Sequence, residues 1–428
     1  MVRQTAEGMS DFIGVHPLTS FADGKCHLIP AFGNTGLFET TEGLVVFDFP
    51  IKEYGPKVFK QAREITDKQV KYVIFSHGHF DHAFGFAPFV EEIEEKKWKM
   101  PEVIAHENCV RRFEKYKMLE NYHAWINRMQ FASVGGDTKP RSAHETLDPT
   151  IVLRGNDASY DFKLGEVEFK IYHDKGETDD SIWLWVPEKE TICTGDLMVS
   201  SFPNVGNPYK VQRYPRDWAI AMEKMREKDA KYMIPGHGPF IEGKDKIEEI
   251  LSITSEALFF IHDEVVKRMN EEKWFEQIYH EVQEIYPAKF RNHPILRPIY
   301  GCPRFAIHAT HRLYHGWYNS GNPTDLFPAK SEKIAQEFLK INSEEKYLEH
   351  SKKLFNSGEY QLALHIIDVV IKGTNANKVE LLLEANKLKS DILRKIVKEE
   401  PSFIATNIID NSRYQIKAKI KELKKRLK

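Results

Sequence analysis

Six residues, His77-Gly78-His79-Phe80-Asp81-His82, constrain this chain more than any others. They follow Val73-Ile74-Phe75-Ser76, a β-branched and aromatic run that stops abruptly at the first histidine. Loops at strand ends are where α/β folds build their sites, so three imidazoles and a carboxylate placed there can converge on one point. That is metal-ligand chemistry. Neutral imidazole suits zinc and other first-row divalent ions, and the aspartate can ligate or act on a metal-bound water. The chain has 18 histidines, but a chance surface accumulation does not account for four donors directly behind a strand.

The segments around the loop read as an α/β fold. Leu44-Val45-Val46-Phe47, bounded by Gly43 and Asp48-Phe49-Pro50, has the length of a buried strand, and Lys57 to Thr66 has helical spacing behind Pro56. Glu107 to Gln130 reads as one long helix, and Phe131 to Asp148 as an aperiodic stretch, a plain surface loop in preference to a loop over the site. Strands resume at Ile151 to Arg154, Asp161 to Leu164, Val167 to His173, Ser181 to Val186 and Thr191 to Thr194. A second strand, Lys231 to Ile234, ends in Pro235-Gly236-His237-Gly238. Two halves, each closing on a histidine loop, predict two sheets packed face to face with helices outside. Strand signals then vanish, and apolar residues recur at helical spacing from Ile247 onward. This gives three expected segments: 1–243 as the catalytic α/β domain, 244–330 as a helical connector, and 331–428 as a helical domain. Within the last, Leu354 to Ala363 has the small and aromatic spacing of a helix pair.

Composition narrows the partners. Lys plus Arg is 61 against Asp plus Glu 63 in 428 residues, so bulk positive charge for nucleic acid is absent, and the Lys-rich end 417–428 reads as a solvated helix terminus. Cys26, Cys109, Cys193 and Cys302 lack Cys-x-x-Cys spacing and read as reduced thiols. With no apolar run long enough to span a bilayer and no secretory pattern before Ala22, the expectation is a cytoplasmic protein without a membrane span.

The His-x-His-x-Asp-His loop resembles the signature of the metallo-β-lactamase superfamily, and the likeness extends over roughly Ile13 to Gly243. Asn34-Thr35-Gly36-Leu37-Phe38 and Gly43 to Asp48 are similar to the family's opening hairpin, Ile192-Cys193-Thr194-Gly195-Asp196 to its strand-plus-Asp motif, and Ile234 to Gly238 to its last histidine motif. The resemblance implies an αββα sandwich holding two metal ions. It assigns His77 and His79 to one ion and Asp81, His82 and His237 to the other, with Asp196 bridging. Where the family has a third histidine in Gly-His-Thr-x-x-Ser, this chain has Gly176-Glu177-Thr178-Asp179-Asp180-Ser181. Glu177 is then the expected ligand, with nearby His173 as the other candidate. A carboxylate there hardens the first site, admitting manganese or iron beside zinc. Two ions sharing Asp196 imply a bridging hydroxide, with Asp81 and Asp196 as the catalytic carboxylates.

A glutamate in place of that histidine resembles the alkyl sulfatase branch, as does Tyr314-His315-Gly316-Trp317-Tyr318-Asn319-Ser320-Gly321-Asn322-Pro323 in the helical half. The branch implies a sulfate ester as the small-molecule substrate and a homodimer formed through the helical domain. Three features depart from it: the bridging residue is Asp196 where the branch has glutamate, Pro235-Gly236-His237-Gly238 has the general superfamily form, and the branch's sterol-carrier-like third domain is not found in these 428 residues. Arg213 and Arg216 after the Asp196 loop offer guanidinium forks that match an anionic head group. His308 and Tyr314, with Arg304 and His311, precede the Gly-Trp motif and are the helical half's candidates to face substrate. The alternatives are a hydrolase of the same fold acting on a lactone, thioester or phosphodiester, a flavodiiron-type oxidoreductase, and a metal-binding protein that is not an enzyme. The oxidoreductase would need a glutamate where His79 stands and a flavin domain where helices are expected.

Overall fold

Short apolar runs punctuated by glycine and proline fold into two mixed sheets. The computed structural model describes residues 16–131 and 143–428; most of the expected loop Phe131 to Asp148 therefore lies outside the described residues. The first sheet is ordered β1 (Thr19–Phe21), β2 (Cys26–Ile29), β3 (Thr35–Glu39), β4 (Leu44–Phe47), β5 (Val70–Ile74), β6 (Glu102–His106), β7 (Ile151–Leu153). The second runs β13 (Ile241–Glu242), β12 (Tyr232–His237), β11 (Thr191–Val199), β10 (Ile182–Val186), β9 (Val167–His173), β8 (Ser159–Leu164). Hairpins make the outer pairs antiparallel, while β4–β5–β6–β7 and β11–β12 are parallel, as intervening helices require.

Between the sheets, Leu28, Phe38, Val45, Phe47 and Ile74 face Phe169, Ile171, Ile182, Leu184 and Cys193, all buried. Each of these large side chains contributes on the order of 1.5–3 kcal/mol by leaving water. The outer face of the first sheet is covered by Gly55–Ile65, Ala87–Glu95 and Glu107–Met118 through Val58, Phe89 and Phe113. The second sheet's outer face, including Trp183 and Met233, packs against Pro215–Arg226, Lys244–Asn270, Phe275–Ile285 and Pro303–Tyr314. The chain is thus the expected αββα sandwich with a helical C-terminal region.

Two boundaries differ from expectation. The helix expected over Glu107 to Gln130 is two, Glu107–Met118 and Glu120–Phe131, broken at Leu119. The residues after 243 are no connector: Leu251, Leu258 and Ile261 of Lys244–Asn270 share one buried cluster with Trp218, Met222 and Met225, so the compact unit holding the sandwich runs to Trp317. Among the described residues, the other unit comprises 124–131 and 318–428. There Leu348, Ala363, Ile367, Val370, Leu388 and Ile392 form the core of Glu344–Asn356, Tyr360–Gly373 and Val379–Glu399. Gly358, at φ +86°, makes the left-handed turn between the first two of these.

Candidate metal centre

The parallel strands β4 and β5 deliver the histidine loop. After β5, Ser76 is fixed from three sides: its carbonyl accepts from Ile182 N of the second sheet (2.7 Å), and its amide and hydroxyl donate to Asp48 Oδ1 and Oδ2 (both 2.6 Å). The chain then reverses, and Gly78 N–H donates to Asp180 Oδ2 at 2.9 Å. Arg112 clamps that carboxylate, its Nη2 donating to Asp180 Oδ1 at 2.9 Å. On the opposite wall, β12 carries His237 into a turn held by Asn34, whose side-chain amide donates to Pro235 O (3.0 Å) and Gly238 O (2.9 Å). Gly33 lies at φ +83° with Asp81 O only 1.6 Å from where a Cβ would stand, so only glycine lets this turn approach the histidine loop.

These supports bring the expected ligands into two groups. His77, His79, Glu177 and Asp196 offer donor atoms all within 4.8 Å of one another, as do Asp81, His82 and His237. His77 Nε2 and His79 Nδ1 lie 3.6 and 3.4 Å from Glu177 Oε2, and His77 Nε2 is 3.9 Å from Asp196 Oδ2. The other aspartate oxygen, Oδ1, is 3.1 Å from His82 Nε2 and 3.5 Å from His237 Nε2, while Asp81 Oδ2 is 3.3 Å from His237 Nε2. Asp196 therefore turns one oxygen to each group.

The donor set fits two divalent ions. Buried His82 Nε2, Glu177 Oε2 and Asp196 Oδ1 make no hydrogen bond, a costly state for polar atoms unless a cation completes them. Burial pushes His77 well below the usual imidazole range and His79 to about 4, so both are neutral at neutral pH, the form that ligates. Burial would likewise raise Glu177, but Arg213 and His79 hold its carboxyl well below the ordinary value. Asp196 is raised to about 6 by burial, against the pull of His82 and with Glu177 adding to the rise. Behind the ligands, His82 Nδ1 lies 2.8 Å from Asp48 Oδ2 and His77 Nδ1 3.0 Å from Ser76 Oγ, contacts that orient both rings.

His173 is engaged elsewhere: its ring stacks on His106 at 3.9 Å, and Nε2 is 3.1 Å from Asp179 O. Arg213, expected at an anionic head group, is buried and ion-paired to Glu177 Oε1, and also donates to Asn204 O at 2.6 Å. Arg216 is exposed on the first turn of Pro215–Arg226. Tyr314 places its hydroxyl 2.8 Å from His262 Nε2, and His308 packs on Phe275 and Tyr279. Both side chains thus serve the helical layer over the second sheet, apart from the two ligand groups.

Three residues near the ligands were not anticipated. Lys210 is lowered to about 8 by burial and Arg213, with Glu177 and Asp81 opposing. Tyr300 is raised well above the usual phenol range, first by burial and then by Glu177. It is held in place where Gly301 N donates to Phe202 O (3.2 Å), a contact so close that a Cβ on Gly301 would lie 2.0 Å from Pro203 O. Asp48, seen in the sequence only as the end of a strand, is the support under His82 and Ser76. Of the three, only Asp48 carried a readable signal, a buried-strand run ending in a carboxylate.

Comparison with known proteins agrees with this architecture. Residues 28–237 match the family model for the metallo-beta-lactamase superfamily, and residues 275–418 that for alkyl sulfatase dimerisation. A linear primary-alkylsulfatase of a Pseudomonas strain is 24% identical over 372 residues, covering 82% of this chain and 69% of that protein. The alkyl/aryl-sulfatase BDS1 of Saccharomyces cerevisiae is 20% identical over 388 residues, 85% of this chain and 58% of its own length. Among solved structures, the stereoselective inverting sec-alkylsulfatase Pisa1 from Pseudomonas sp. superposes with a TM-score of 0.77 at 17% identity, covering 92% of this chain and 64% of that one. The chain thus spans 58–69% of the length of these relatives. The sandwich, the paired donor groups and the two matched models together place residues 28–237 in the metallo-β-lactamase superfamily and residues 275–418 with the alkyl sulfatase dimerisation family.

Proposed function

We propose that the chain hydrolyses a sulfate ester at a centre of two divalent ions, zinc being the first expectation and manganese or iron the others. The observation that carries this reading is Asp196, which presents one oxygen to each of two donor groups, the first of them completed by Glu177. His77, His79 and Glu177 would hold one ion and Asp81, His82 and His237 the other. Two ions so held would supply an ionised water at neutral pH and a positive field for charge developing on the ester. The chain's own residues do the rest. Lys210, lowered to about 8 by burial before any ion is bound, places an amine beside the ligands that can donate to an anionic head group. Tyr300, raised well above the usual phenol range by burial, adds a phenol group there. Asp48 and Ser76 fix the ligand rings. The relatives named as alkylsulfatases support sulfate over other esters, and the dimerisation match over 275–418 supports a homodimer.

The test is metal analysis followed by assay of the loaded protein on an alkyl sulfate, a phosphodiester and a lactone, beside Glu177→Ala. The expected result is about two ions per chain and sulfate release that is lost in the variant and on chelation. Turnover confined to the lactone or phosphodiester would transfer the activity to that class, and chelator-resistant turnover would remove the metal mechanism.

A further inference from the structure

Glu177 uses its two oxygens for different tasks. Oε2 faces His77 Nε2 and His79 Nδ1 at 3.6 and 3.4 Å and accepts no hydrogen bond, whereas Oε1 is held by Arg213 Nη1. The pair is almost wholly out of solvent, with 1% of the glutamate side chain and 2% of the arginine side chain exposed. Its geometry is fixed from both sides: Arg213 also donates to Asn204 O at 2.6 Å, and the next residue, Tyr214, donates its N–H to Gly176 O at 3.1 Å, joining the two loops. A buried charge this close to a cation site bears directly on what that site binds.

We infer that Arg213 is a positioning residue of the first metal site, taking up Oε1 and the charge of Glu177 so that this glutamate acts as a neutral, one-atom ligand. The inference rests on the two-ion reading above. Three carboxylates, Asp81, Glu177 and Asp196, face the ions, and Arg213 cancels one of them. An imidazole in the position of Glu177 would have the same two properties, no net charge and a single donor atom. Freed from Arg213, Glu177 would present full charge and both oxygens, the hard-ligand setting that favours manganese over zinc. Arg213 thus lets a carboxylate occupy this position without turning the site into an oxygen-rich one.

The experiment compares manganese and zinc retention at each of the two equivalents, by chelator competition and manganese paramagnetic resonance, in the full-length wild type, Arg213→Met, and the double variant Glu177→His/Arg213→Met. In Arg213→Met the manganese-to-zinc preference at one equivalent is expected to rise about tenfold, while in the double variant, neutral again, it does not rise. An unchanged preference in Arg213→Met, with both ions lost equally or not at all, would show that Arg213 merely braces its loop and would overturn the inference. If Arg213→Met fails to fold, a folded double variant still supports the charge pairing, and a double variant that also fails to fold refutes it. Wild-type protein binding no metal would instead overturn the two-ion reading, and the inference with it.

Discussion

Asp48 accepts three hydrogen bonds, from the amide and hydroxyl of Ser76 and from His82 Nδ1, while its own backbone sits at φ +62°, a conformation aspartate tolerates better than most residues. Its removal would free the His82 ring while leaving every ligand in place. Asp48→Ala is therefore expected to weaken retention of the ion proposed for the Asp81, His82 and His237 group by about 10–100-fold, read by chelator competition. Asp180 behaves differently, because it binds no ligand side chain and supports the loop through Gly78 N–H. Burial alone would raise its carboxyl, but Arg112 and His77 hold it below the ordinary value of 3.8. A depressed carboxyl contributes stability that is present above its unfolded value and is lost as pH falls through the folded one. The metal-free protein should accordingly lose stability below about pH 4, with Asp180→Asn flattening that part of a pH series of urea midpoints. The candidate ligands were legible because His77, His79, Asp81 and His82 are neighbours in sequence. Arg112, Lys210 and Tyr300 were not, since an isolated cation or tyrosine acquires meaning only when folding places it beside a distant carboxylate.

At the level of elements, sequence periodicity located the helices well and their partners poorly. Lys244–Asn270 has apolar residues at Ile250, Leu251, Leu258, Ile261 and Val265, as the spacing predicted, yet the pattern does not state which surface they bury. That surface is the outer face of the second sheet with its helix Pro215–Arg226, which moves the edge of the unit from 243 to Trp317. Leu258 is fully buried in this contact, so Leu258→Ala should cost about 2–5 kcal/mol in urea unfolding, with the metal content of the folded fraction unchanged. The break at Leu119 had no signal, because leucine is a good helix former and only the packed structure interrupts the run there.

For the whole molecule, the proposed dimer locates a consequence on the helix Ser331–Ile341. Ile334, Phe338 and Ile341 recur on one face and remain 39%, 45% and 79% exposed in the single chain. A second copy is the expected cover, so the wild type should sediment as a dimer of the 49.8 kDa chain and Phe338→Glu/Ile341→Glu as a monomer that keeps its metal. The sandwich itself carries a constraint on timing. Its first group of donors draws on residues 77, 79, 177 and 196, and its second closes only with residue 237 on β12. During synthesis, then, the early histidines leave the ribosome long before their counterparts exist, and a nascent chain shorter than 237 residues can complete the first donor group but not the second. On the two-ion reading, capture at the second group is therefore a late event, one that waits for β12 to be made.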